Sequence, residues 1–212
     1  MRIDLKKDHR ELYQPGSADF VEVVVPPWRY LAVDGHGDPN TSTAYADAVA
    51  ALYTVGYAVR AALRERTGDL LVVGPLEGLW SSGDRSSFVE GRKDDWDWTM
   101  LIPLPGQVEQ SDVVTALDAA GRRKPRLPVE AVRLDELHEG RCLQILHLGS
   151  YDDEGPTLAR LHDAVMPSLG VTFNGPHHEI YLGDPRRAAP ERLRTVLRQP
   201  VVALGAGPAP GR

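Results

Sequence analysis

Residues 40–69 read NTSTAYADAVAALYTVGYAVRAALRERTGD. Tyr45, Ala48, Val49, Leu52, Val55, Gly56, Val59, Ala62 and Leu63 recur at the spacing of one helix face, over about six turns. Asn40, Thr41 or Ser42 can cap its start, and Gly68-Asp69 ends it. Short runs of β character flank this helix. Upstream lie Phe20–Val25 and Trp28–Val33, parted by Pro26-Pro27, which cannot donate to a ladder and so mark a break or an edge. Gly35–Asn40 reads as a loop. Downstream, Leu70–Gly74 and Leu76–Trp80 read as one strand interrupted at Pro75, and a polar loop covers Ser81–Asp95. Trp96–Ile102 is the next strand, with Asp97 and Thr99 alternating with Trp96, Trp98 and Met100.

Beyond Pro103–Gly106 the spacing predicts a short helix, Asp112–Ala120, and then a basic, Pro-rich connector, Gly121–Pro128. The order then starts over. Val129–Leu134 and Arg141–His147 read as strands. Asp152–Leu169 reads as a helix with Leu158, Leu161, Val165 and Leu169 on one face and Pro156 in its first turn. Val171–Phe173 leads into a turn, His178–Leu182 is a strand, and Arg192–Arg198 closes as a strand or short helix. The tail, residues 203–212, is rich in Gly, Pro and Ala and reads as disordered. The expected fold class is α+β. It is one domain, residues 1–202, built of two pseudo-repeats at about 20–104 and 127–200, with antiparallel sheets, two long helices and a ligand groove where the halves meet.

The 212 residues carry a formal charge of −6, and the basic residues are scattered, which argues against a nucleic-acid binder. One Cys excludes a disulfide scaffold and a multi-cysteine zinc site. No apolar run is long enough to span a membrane, and Met1–Asp8 has no signal core, so a cytoplasmic protein is expected, monomeric or weakly dimeric. Residues 1–20 are polar, with Leu12-Tyr13 as the anchor.

Glu179 stands in a short apolar strand two residues before Tyr181, so both point to one face. A carboxylate in an aromatic-lined groove can bind a cation or act as a general base on water; on an open sheet face it would simply be solvated. Trp80, Trp96 and Trp98 lie in one hairpin region and offer flat walls for a planar ligand, or else core. Met100 shares the Trp98 face. Glu77 is a second pocket carboxylate if the bend at Pro75-Leu76 brings it in, although the strand period sets it opposite Trp80. Tyr151, after a strand end, can orient water or donate to a developing oxyanion, or pack on the next helix. Asp152, Asp153 and Glu154 read as helix-capping acids. His177 and His178 are adjacent and face opposite sides of a strand, so no metal is expected, and His147 reads as a packed histidine. Cys142 reads as core. Gly35–Asn40 lacks the third Gly of a dinucleotide loop, and neither a phosphate loop nor a nucleophile elbow occurs.

Several motifs in order resemble the stand-alone GyrI-like small-molecule-binding proteins: Leu12-Tyr13, Val33–Asn40, Pro75–Trp80, Trp98–Pro103, His147–Glu154 and His178–Arg187. The resemblance implies the duplicated β-α-β-β, SH2-like fold shared with effector domains of multidrug-responsive regulators. No helix-turn-helix segment precedes residue 20, so a regulator is not expected. Some stand-alone members are hydrolases that open the cyclopropane of DNA-alkylating natural products of the yatakemycin and CC-1065 type; others are known only as binders. By this resemblance Glu179 matches the central acidic residue of the pocket. It would activate water, Tyr151 or Tyr181 would stabilise the oxygen that gains charge, and Trp80 and Trp98, with Glu77 and Met100, would hold a hydrophobic planar ligand. Ring strain drives such a reaction, so no cofactor is expected. The same residues would equally serve a protein that only sequesters its ligand.

Overall fold

The computed structural model describes residues 1–84, 90–185 and 187–205. Along the chain run β1 (Arg2–Ile3), α1 (Leu5–Asp8), α2 (Arg10–Tyr13), β2 (Val21–Val25), β3 (Trp28–His36), α3 (Thr43–Thr67), β4 (Leu70–Leu71), β5 (Leu76–Ser81), β6 (Asp97–Pro103), α4 (Gln110–Arg123), β7 (Arg133–Leu137), β8 (Gly140–Leu148), β9 (Val171–Phe173), β10 (His177–Tyr181) and β11 (Arg194–Ala203). Contacts divide the chain into two compact units. The first comprises residues 1–9 and 28–137, the second residues 10–27 and 138 onward.

In the first unit an antiparallel sheet runs β5-β6-β3-β7. Helix α3 covers one face. The Ser42 hydroxyl accepts from the Tyr45 amide to start the helix, and Gly68, left-handed at φ 79°, ends it. Its stripe Ala48, Leu52, Val55, Val59 and Leu63 is buried. A Cβ at Gly56 would meet Ile102 at 3.4 Å, an ordinary packing distance, so the helix lies in normal contact with the sheet there. On the other face Tyr30, Ala32, Leu79, Leu101 and Leu137 form a second cluster. Helix α4 starts two residues earlier than its apolar pattern suggests because Glu109 and Asp112 form a capping box. Arg66 of α3 ties it down with a two-pronged ion pair to Asp112.

Three readings of this unit change. Residues 70–80 are not one interrupted strand: β4 pairs in parallel with β1 as a separate ribbon, and only β5 enters the sheet. Val129–Leu134 is not a strand. Pro128 lacks an amide donor, Val129–Ala131 forms a 3-10 turn, and pairing starts at Arg133 opposite Ala32. Strand β3 runs on through Gly35 to His36, past the expected loop start. Gly35 is required there, because the Trp98 ring would lie 2.1 Å from any Cβ.

In the second unit the antiparallel sheet runs β2-β8-β11-β10, with β9 on the far end of β11. The expected long helix 152–169 is broken into a 3-10 turn at Tyr151–Asp153, an α-helical stretch at Gly155–Arg160, a π-helical turn at Leu161–Val165 and a last α-turn at Met166–Ser168. Pro167 has no amide to donate four residues back and its ring crowds that carbonyl, so the turn before it widens. Leu161 and Met166 still pack on Leu143, Val171 and Val201. Of residues 192–198, Arg192 ends a 3-10 turn over Pro190–Arg192 and strand begins at Arg194; β11 reaches Ala203, inside the span expected to be tail, and residues 206–212 of that tail lie outside the described residues.

The opposite face of this sheet holds a buried polar network. Arg198, 2% exposed, donates to Gln144 at 3.1 Å, to Glu139 at 3.2 Å and to the Leu12 carbonyl at 2.8 Å. His178 closes on the other Glu139 oxygen at 2.9 Å. The network thereby ties α2, where Leu12 and Tyr13 are buried, to the sheet. Arg198→Met would strand Glu139 without its guanidinium, and breaking a buried pair from one side costs about 3–5 kcal/mol. The urea midpoint should fall accordingly with an unchanged slope; a loss below about 1 kcal/mol would mean the network is solvated. Burial opposes ionisation of Glu139, but the charges of His178 and Arg198 outweigh it and hold the carboxyl at about 2. Because that lies below the unfolded value of 4.5, the stabilisation is present above pH 4.5 and is lost as pH falls toward 2.

Candidate functional site

Strand β10 alternates. His177, Glu179 and Tyr181 point to one face, and His178 and Ile180 to the other. Tyr181 lies opposite Thr195 of β11, which lies opposite His147 of β8, so these three share a face with Glu179. The Tyr181 hydroxyl donates to Glu179 Oε2 at 2.9 Å. The Tyr151 ring meets the Tyr181 ring edge-on, with centroids 5.5 Å apart. The Glu179 side chain is 15% exposed, and His177 Nε2 stands 3.7 Å from its other oxygen. The three residues expected to carry chemistry, Glu179, Tyr151 and Tyr181, are therefore brought together on one face of the second unit.

Glu154 joins them. It stands where a helix cap was expected, yet its side chain makes no cap bond and is 4% exposed. That capping role is corrected for Glu154: the 3-10 turn over Tyr151–Asp153 leaves Asp152 and Asp153 exposed, and Ser150 donates to Asp153 at 2.7 Å, while the chain turns Glu154 inward. Burial, followed by the charges of Glu179 and Asp152, pushes the Glu154 carboxyl up to about 10, against a weaker pull from the Thr195 hydroxyl. Glu154 Oε1 and Thr195 Oγ1 make no well-formed hydrogen bond among the described residues. Burial and the acids Glu154, Glu179 and Asp184 push the Tyr151 phenol up to about 12, so it stays a proton donor at neutral pH. Burial and the charges of His162 and His178 hold His177 at about 3, against a weaker pull from Gln199, so it stays a neutral imidazole. The cluster thus pairs a buried acid that keeps its proton with a second carboxylate, two phenols and a neutral histidine. His147 is packed, with Nε2 on the Ser150 carbonyl at 3.1 Å. Among the described residues no group of three or more His, Cys, Asp or Glu is arranged to hold a metal ion.

The remaining candidates belong to the first unit. Trp80 and Trp98 are cross-strand partners, both nearly buried, with Met100 fully buried beside them. Tyr45 of α3 stacks on Trp80 at 6.4 Å and meets Trp98 edge-on at 5.1 Å. Trp96 meets Trp80 edge-on at 5.6 Å, and the Trp98 indole donates to the Gly37 carbonyl at 3.2 Å. Glu77, also buried, lies opposite Leu101 on the other face of the sheet, away from Trp80, as the strand period requires. Cys142 is buried, and burial pushes its thiol far up, which fits a core residue. No helix among the described residues is long and apolar enough to cross a membrane.

The sequence reading missed Glu154 and Thr195. The acidic run Asp152–Glu154 before Pro156 looks like any helix start, and nothing in it distinguishes the residue that turns inward. Thr195 carries one visible signal, its alternation with Val196 in β11.

Residues 19–202 match the GyrI-like small molecule binding domain. No curated protein matches significantly. A conserved protein of Listeria innocua is similar over 94% of this chain and 100% of its own, at 35% identity and a TM-score of 0.86. Two structures of hydrolases from Listeria innocua are similar at 33% and 32% identity, with TM-scores of 0.81 and 0.83, over 94% and 95% of this chain and 100% of theirs. The C-terminal domain of EcmrR shares the fold at 10% identity and a TM-score of 0.56, over 88% of this chain and 98% of its own. With that domain match spanning nearly the whole chain, on an α+β fold of antiparallel sheets and helices, this protein belongs to the GyrI-like small-molecule-binding family.

Proposed function

We propose that this chain is a hydrolase that opens the cyclopropane ring of DNA-alkylating natural products of the yatakemycin and CC-1065 type, in detoxification or self-resistance. One observation carries the reading: the Glu179 carboxylate, largely shielded from solvent, is held at 2.9 Å by the Tyr181 hydroxyl beside the Tyr151 ring. The similarity to two Listeria innocua hydrolases supports it.

Glu179 takes a proton from water, and the water oxygen attacks the strained ring methylene. The ring C–C bond breaks toward the dienone, whose oxygen becomes a phenolate. Tyr181 is engaged with Glu179 and fixes the base. Tyr151 is then the phenol left to donate to the oxygen that gains charge. The Tyr151–Tyr181 pair offers an edge-to-face aromatic surface for a flat ligand. Ring strain supplies the driving force, so the reaction as proposed calls for no cofactor. Incubating the protein with a cyclopropanoid alkylator and following the dienone absorbance tests the reading. The absorbance should disappear catalytically, many equivalents per protein. If the compound binds and quenches Trp fluorescence while the dienone persists, the protein is a binder that sequesters planar hydrophobic or cationic ligands.

A further inference from the structure

Strand β10 sets His177, Glu179 and Tyr181 in a row on one face, and the mechanism above uses only the last two. Tyr181 holds Glu179 Oε2 at 2.9 Å, which leaves Oε1 as the oxygen on the His177 side. His177 Nε2 stands 3.7 Å from Oε1, beyond hydrogen-bond reach. Both ring nitrogens of His177 are buried, and neither makes a well-formed hydrogen bond among the described residues. A neutral imidazole carries one N–H and one lone pair. An Nε2–H beside a carboxylate oxygen would draw it in to about 2.8 Å, whereas a lone pair facing the lone pairs of that oxygen keeps its distance. The tautomer that fits the gap has its hydrogen on Nδ1. Gln199 favours it. Gln199 follows Arg198, the ladder partner of His178, so it lies across from His177. Its amide nitrogen donates to the carbonyls of Gly175 and Pro200, both at 3.1 Å, and its oxygen is the acceptor it offers the ring. The other groups that act on His177 are His162, on the π-helical turn, and His178, its neighbour in the strand.

We propose that His177 is a positioning residue for the base: its Nε2 lone pair accepts a hydrogen bond from Glu179 once that carboxylate has taken a proton from water. The proposal rests on the reading of Glu179 as a base. One O–H bond of the water breaks, its proton bonds to Oε1, and the water oxygen bonds to the ring methylene. The new carboxyl O–H then donates to Nε2, and the 3.7 Å gap closes. His177 forms no bond to the substrate. A hydrogen bond made only by the protonated carboxyl raises its proton affinity and strengthens the base. When the product leaves, the proton passes to solvent and balances the one taken up by the phenolate oxygen.

The test is the pH profile of dienone opening by the wild-type protein, His177→Leu and His177→Gln. Gln sets an amide oxygen near the place of Nε2 and can still accept; Leu cannot. His177→Leu should lower kcat about 3–10-fold with KM unchanged, and the acid limb of its profile should move down by about half to one pH unit, the worth of one hydrogen bond. His177→Gln should recover most of both. A merely structural role would not move the limb. Imidazole nitrogen-15 spectra of the wild-type protein, with the His177 signals identified by their loss in His177→Gln, should show hydrogen on Nδ1 and none on Nε2. If His177→Leu fails to fold, that tautomer decides. An acid limb that moves up, hydrogen on Nε2, unaltered kinetics in His177→Leu, or a Gln variant as slow as the Leu variant each overturns the proposal and leaves Glu179 a base. A wild-type protein that leaves the dienone intact overturns both.

Discussion

Glu179→Gln is expected to lower turnover of a cyclopropanoid alkylator by about 10²–10⁴-fold while binding of a flat dye changes little. The amide keeps the size of the carboxylate, and its oxygen can still accept from Tyr181, whose hydroxyl lies 2.9 Å from the native Glu179 carboxylate. What disappears is the proton acceptor. The measurement is the decay of the dienone absorbance, read beside the quenching of Trp fluorescence by cationic, neutral and anionic dyes. A weaker hold on the cationic dye with undiminished turnover of a neutral substrate would make Glu179 an anchor instead of a base. If both activities survive, the chemistry lies elsewhere, and Glu77, a fully buried carboxylate of the first unit, is the residue to change next.

Glu154→Gln is expected to stabilise the protein in alkali by several kcal/mol. The folded carboxyl titrates near 10 and the unfolded one near 4.5. A group raised in this way contributes its full stability below pH 4.5 and loses it as pH climbs toward 10. The loss runs at about 1.4 kcal/mol per pH unit. Gln has nothing to lose and mimics the protonated acid. Thermal melts at pH 5 should nearly coincide, whereas at pH 9 the variant should melt later by roughly 10 °C or more. Parallel curves at every pH would mean that Glu154 is solvated and ionised. On the acid side His177 works in the other direction. It is held neutral with a folded value near 3 against 6.5, so its contribution is lost as pH falls below 6.5. Both sensitive groups belong to the candidate site, as expected where function is bought with stability.

Helix α3 was legible because each of its signals is local: an apolar stripe, a Ser at the cap and a Gly at the stop. The shared face of Glu179 and Tyr181 was legible because a strand has a period of two. The kink at Leu161–Val165 was not, since the apolar stripe persists through it and only Pro167 hinted at the missing amide. Glu154 was hidden for a different reason. Whether an acid at a helix start points outward or inward is settled by the turn before it, and no periodicity reports that. Arg198 breaks a Val/Leu run in β11, but its partners come from residues 12, 139 and 144, which only the fold assembles. The partners of β2 and β7 were equally invisible, because an edge strand looks the same whichever sheet it joins.

That exchange of edges bears on how the chain is made. Strand β2 leaves the ribosome early, yet its ladder partner β8 is synthesised about 120 residues later. At about 5–20 residues per second the valine-rich segment waits on the order of ten seconds with its hydrogen-bonding edge bare. A nascent chain in that interval is a target for chaperones and for neighbouring chains in the same polysome. A gene fragment cut at the connector would leave β2 without its ladder partner and β3 without β7. The two halves are therefore bound to a common birth, and folding is completed only after translation has passed β8 and released the strands beyond it.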